Sequence, residues 1–150
     1  MLRSIETSDA KERAWKSDRG SLRIRTPVPE VLVFVEEGHL DTAAASLIAE
    51  ASNNALKCPR PLHLFVDAYD LMSYTPDVRK GPTDWLMANR SRLAVQHMLV
   101  RSKITKMGLS VASLALGGLI KGHASRASFG LALDQTLAEL RGRGRTSPRF

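Results

Sequence analysis

The chain has 150 residues, of which 43% are hydrophobic, 25% charged and 5% aromatic, with a formal net charge of +7. That is too apolar for a disordered chain and long enough to bury one core. No run reaches the ~20 apolar residues of a membrane span, no apolar leader follows Met1-Leu-Arg3, and Cys58 is the single cysteine, so an internal disulfide framework is excluded and a cytoplasmic location is expected.

Residues 1–20 have no clean period and are expected to form a flexible N-terminal arm. Leu22 and Ile24 alternate with Arg23 and Arg25, which predicts a half-exposed strand ended by Pro27 and Pro29. Val31 to Val35 is a continuous apolar run, the mark of a strand covered on both faces, with Gly38 as its exit turn. Asp41 stands where an N-cap belongs, and Ala44, Leu47, Ile48, Ala51 and Ala55 come after it at helical spacing. Cys58-Pro-Arg-Pro61 stops that helix.

Leu62 to Val66 predicts a second buried strand, ending at Asp67. Thr75-Pro76 is a helix-start signal, but Gly81-Pro82 interrupts the segment it opens. A short turn at 76–80 is therefore expected, then a helix from Pro82 to Arg92 that buries Trp85, Leu86 and Leu93. Val95 to Val100 is the next strand. Ser102 is placed to cap a largely apolar helix from Lys103 to Leu116, which Gly117-Gly118 breaks. Leu119 to Gly122 predicts a last short strand. Ser125 then caps a final helix with Phe129, Leu133, Leu137 and Leu140 on one stripe.

This order is β–β–α–β–α–β–α–β–α. It predicts an α/β domain over 21–140, with one small, mixed, mostly parallel sheet of about five strands flanked by about four helices. The first strand pair suits an antiparallel start. The tail Arg141-Gly-Arg-Gly-Arg-Thr-Ser-Pro-Arg-Phe150 is expected to be disordered and basic.

The charge is uneven. Residues 79–126 hold nine basic groups and one acid, Asp84, whereas residues 22–78 hold four basic and eight acidic groups. One reading is attraction to an anionic partner; the plainer one is a solvated face. The tail is short and has one aromatic residue, so it carries no strong nucleic-acid signal.

Catalytic motifs are absent. Gly117-Gly-Leu-Ile-Lys-Gly122 does not satisfy a P-loop, and neither a Gly-x-Gly-x-x-Gly nor a Gly-x-Ser-x-Gly occurs. His39, His63, His97 and His123 are scattered, and no second cysteine joins Cys58, so neither a zinc site nor any other cofactor is expected. His63 and His97 lie in predicted strands and suit half-buried structural roles. An enzyme is the least supported class, with Cys58 and His123 as the residues that would have to carry it.

Two segments come directly after predicted parallel strands, where open α/β sheets bind ligands. The first, Asp67-Ala-Tyr-Asp-Leu-Met-Ser-Tyr-Thr75, gathers Asp67, Asp70, Ser73 and Thr75 beside a helix start. A phosphate on Ser73 or Thr75 would be stabilised there, while the plainer roles are a cap and turn-shaping carboxylates. The second, Arg101-Ser-Lys-Ile-Thr-Lys106, places Arg101, Lys103 and Lys106 with Ser102 at one helix N-terminus. Cations there are unfavourable by ~0.3–1 kcal/mol each. That suggests an anion site, unless the side chains swing into water.

Leu62-His-Leu-Phe-Val-Asp67, Trp85-Leu-Met-Ala-Asn-Arg90, Val95-Gln-His-Met-Leu-Val-Arg-Ser102 and Met107-Gly-Leu-Ser-Val-Ala-Ser-Leu-Ala-Leu-Gly117 together resemble the STAS-like, SpoIIAA-like family of bacterial proteins over roughly 22–140. The resemblance implies a small mixed sheet flanked by helices. It also implies a non-enzymatic signalling module that binds a partner protein and is switched by phosphorylation at the helix start after a central strand. Met72-Ser-Tyr-Thr-Pro76 stands in place of the family's Asp-Ser-Ser-Gly, which leaves Ser73 or Thr75 as the acceptor. The likeness of SpoIIAA-like proteins to CRAL-TRIO lipid carriers implies an alternative. In it an anionic lipid or small phosphorylated ligand binds at Arg101–Lys106. A strand at 22–25 lying on the sheet edge would also offer pairing with a second copy.

Overall fold

A computed structural model describes residues 3–6, 11–102 and 117–145, with side chains for 12–102 and 117–143. Its strands are β1 (Arg3–Glu6), β2 (Lys11–Lys16), β3 (Gly20–Val28), β4 (Val31–Leu40), β5 (Leu62–Tyr74), β6 (Leu93–Leu99) and β7 (Ile120–His123). The helices among the described residues are α1 (Thr42–Ala55), α2 (Pro76–Ala88) and α3 (Arg126–Arg145), with a 3₁₀ turn at Arg90–Arg92.

All seven strands among the described residues join one sheet in chain order. β1 to β4 pair antiparallel and β4 to β7 pair parallel. The sheet is thus larger than the expected five strands and evenly mixed rather than mostly parallel. The helix expected over 103–116 lies outside the described residues.

The extra strands come from the N-terminal segment. Residues 11–16, expected as a loose arm, pair with β3 from Lys11↔Thr26 to Lys16↔Ser21. Ser17 sets the turn between them: its Oγ accepts from the Arg19 and Gly20 N–H groups at 3.1 Å. β2 buries only Trp15 among its described side chains, and that ring sits opposite Leu22 in the core. A strand with one buried residue carries no alternating signal. Its addition also moves β3 into the interior of the sheet, so residues 22–25 are not an edge for a second copy.

The hydrophobic runs are buried as their pattern predicts. Leu22, Ile24, Leu32, Phe34, Leu62, Leu64 and Val66 face α1 and α2 and pack with Ala44, Leu47, Ile48, Ala51, Val78 and Leu86. Val31, Val33, Phe65 and Leu99 point the other way and meet Phe129 of α3, with Leu133, Leu137 and Leu140 beside it. Continuous apolar strands therefore serve two cores, one on each face. Asp41 caps α1 by accepting from the Ala43 and Ala44 N–H groups at 2.9 and 3.3 Å. Ser125 Oγ accepts from the Ser128 N–H at 3.1 Å in the first turn of α3.

Several boundaries differ from expectation. Gly38 is inside β4, not at its exit, at φ +70°. It pairs with Gly20 so closely that a Cβ on Gly20 would lie 2.2 Å from the His39 carbonyl oxygen. β5 does not stop at Asp67. Beyond it the strand stays paired to the end of β4, through Glu37↔Asp70, His39↔Ser73 and Leu40↔Tyr74. Pro82 lies within α2 rather than opening a second helix. It removes the bond to the Val78 carbonyl, yet Val78 and Leu86 anchor both halves of α2 in the core, and that packing offsets the ~3 kcal/mol a helical proline costs. α3 also continues through Arg145 rather than ending at 140; residues 146–150 of the tail lie outside the described residues.

Candidate functional site

The carboxyl ends of the parallel strands gather the chemistry. β6 ends opposite Asp67, so among the described strands residues 68–74 of β5 have only β4 as a neighbour. The β4–β5 ribbon therefore overhangs the sheet. The segment expected as a loop is the strand of this ribbon.

At the ribbon's base, Asp67, Asp70, Arg101 and Arg126 form one ionic cluster around Tyr69. Asp70 accepts from Arg101 Nη2 at 2.9 Å and from Arg126 Nη2 at 2.7 Å. Asp67 Oδ2 lies 3.4 Å from Arg126 Nη1, while its Oδ1 accepts the Tyr69 N–H at 3.1 Å. Arg101 Nε also donates to the Tyr69 carbonyl at 3.2 Å. The two guanidiniums sit 4.6 and 4.5 Å from the Tyr69 ring centroid, a doubled cation–π contact. Two segments that the sequence presented as separate sites thus meet, and formal charge in the cluster balances. Arg126 and Tyr69 were missing from the sequence expectation, since partners 56 residues apart leave no local pattern. Ser102 is exposed beside Arg101, and Lys103 and Lys106 lie outside the described residues.

At the ribbon's tip, Ser73 Oγ lies 2.8 Å from His39 Nδ1. Met72 and Tyr74 flank it, 78% and 44% exposed. Thr75 precedes α2 but makes no side-chain cap; its hydroxyl donates to Asp77 instead. That bond, followed by one from Thr42, holds the Asp77 carboxyl below its usual range. Tyr74, Pro76, Arg79, Lys80, Thr83 and Asp84 line a groove of about 480 Å³ next to the tip.

Two buried titratable groups complete the region. Glu36 is 8% exposed, opposite Leu22, and burial first, then the Asp67 charge, raises its pKa from 4.5 to about 7. His97 is also 8% exposed, and burial first, then His123, lowers its pKa from 6.5 to about 4. Its Nδ1 is 2.9 Å from His123 Nε2. His63, the other strand histidine, is half-buried, with its pKa lowered chiefly by burial. Among the described residues no group of three or more His, Cys, Asp or Glu could hold a metal ion. No helix among them is long and apolar enough to cross a membrane.

No family model matches the chain, and no curated protein matches it. Among solved structures it is similar to an uncharacterized protein of the DUF3478 family with a SpoIIAA-like fold, from Shewanella loihica PV-4. The two share 13% identity over 89% of this chain and 98% of that one, with a TM-score of 0.58. Likeness at that identity defines the architecture alone. The chain has the SpoIIAA-like fold, which is the STAS-like fold.

Proposed function

We propose that the protein is a regulatory STAS-type module that acts by binding a partner protein through the tip of the β4–β5 ribbon, not by turnover. The observation that carries this reading is the exposure of Met72 and Tyr74 around Ser73 on an overhanging strand. Large exposed apolar side chains beside a groove are the usual core of a protein interface. Ser73 is the switch in this reading. Its phosphate would add about −1.5 to −2 charge beside His39 and the Arg79–Lys80 wall of the groove. The setting proposed is a bacterial cytoplasm.

An anionic ligand at Arg101 is the weaker reading. It would have to displace Asp70 and the Tyr69 carbonyl from that guanidinium. The test is photo-crosslinking in the source cells from position 72, with position 131 on α3 as the control. Position 72 is expected to give one protein adduct that Ser73→Asp changes in yield. The same adducts from both positions, or none from 72, would remove the reading.

A further inference from the structure

A second cluster lies on the α3 side of the sheet. Ser128 Oγ is 2.6 Å from His123 Nδ1, and His123 Nε2 is 2.9 Å from His97 Nδ1. Each residue comes from a different element: the first turn of α3, the end of β7 and the interior of β6. The rings are held in place. His97 stacks on Phe65 with centroids 4.6 Å apart, and Phe129 meets His123 edge-on at 5.8 Å. The line runs from an exposed hydroxyl to a buried imidazole. A serine with a histidine in hydrogen-bond reach, itself oriented by a third group, is the arrangement that activates a nucleophile.

We propose that Ser128 is an activated nucleophile that accepts an acyl group from an activated ester, with His123 as its base and His97 as the positioning residue. When His123 carries its proton on Nε2 and donates to His97 Nδ1, its Nδ1 lone pair faces the Ser128 hydroxyl. His97 serves as that acceptor only while neutral, and burial keeps it so. In the reaction Ser128 Oγ forms a bond to the acyl carbon, and the donor's bond to its leaving oxygen breaks. The Ser128 proton passes to His123 Nδ1 and on to the leaving oxygen, giving acyl-Ser128 and an alcohol. The site is a covalent modification site and stands apart from the ribbon tip.

The experiment treats the full chain with p-nitrophenyl acetate and maps the acetyl groups by peptide mass spectrometry. Acetyl on Ser128 is expected, falling about 100-fold or more in His123→Ala. His97→Asn, whose Oδ1 can take the place of Nδ1, should retain labelling that His97→Leu loses at equal circular dichroism. Should His123→Ala lose its native spectrum, His123→Gln decides, because it keeps a polar contact without a base. Acetyl on lysines or the N-terminus alone, or Ser128 labelled equally without the His123 base, would overturn the proposal.

Discussion

Glu36 and His97 should oppose each other in the pH dependence of stability. Glu36 titrates near 7 when folded and near 4.5 when exposed. A folded pKa above the unfolded one contributes stability that is complete below pH 4.5 and is lost as pH rises through 7. At 1.36 kcal/mol per pH unit the interval amounts to about 3 kcal/mol. His97 has the reverse sign. Its pKa falls from 6.5 to about 4, so its contribution is complete above pH 6.5 and is lost as pH falls through 4, again about 3 kcal/mol at most. Between pH 4.5 and 6.5 the two slopes cancel, and these groups leave the wild-type protein nearly flat. Glu36→Gln keeps the volume and removes the charge. Its stability should rise across that window by about 2–3 kcal/mol and exceed wild type by about 3 kcal/mol at pH 8. His97→Gln should instead lose stability as pH rises; the lost stacking on Phe65 shifts that curve without changing its slope. Urea unfolding at pH 4.5, 5.5, 6.5 and 8 measures all three. A Glu36→Gln protein no more stable than wild type at pH 8, or parallel profiles for all three, would show that Glu36 and His97 do not act in opposition on folding.

Two further outcomes concern the scaffold. Asp41→Ala removes the acceptor for two N–H groups of α1 and should cost about 1 kcal/mol in urea unfolding, with no change in ribbon-tip crosslinking. Gly20→Ala places a Cβ against β4 backbone, 2.2 Å from the His39 carbonyl oxygen, and should destabilise by more than ~1 kcal/mol; a neutral result by thermal unfolding would contradict the close pairing of β3 with β4.

An element is legible in the sequence to the degree that it depends on its own local pattern. Val31 to Val35, the Asp41 cap and the Phe129–Leu140 stripe are set by periodicity and capping, and all were legible. β2 was not, because it is a charged segment with Trp15 as its one buried described side chain. β5 was cut short because Asp67, Asp70 and Ser73 resemble turn formers. Here they occupy a strand whose outer half has one neighbour and leaves those side chains free to meet Arg101, Arg126 and His39. Pro82 marks a helix boundary only where packing does not hold both flanks. The candidate residues Asp67, Asp70, Ser73 and Arg101 were visible as chemistry, but their grouping was not. Asp70–Arg126 and His39–Ser73 join residues 56 and 34 positions apart, and that proximity exists only after the sheet forms.

In the proposed reading the ribbon tip is where a partner binds. Hydrogen exchange on the protein alone and in complex with the crosslinked partner tests it most directly. New protection confined to 71–80, weakened by Ser73→Asp, is expected. Protection that leaves 71–80 unchanged and falls instead on 120–130 would contradict it.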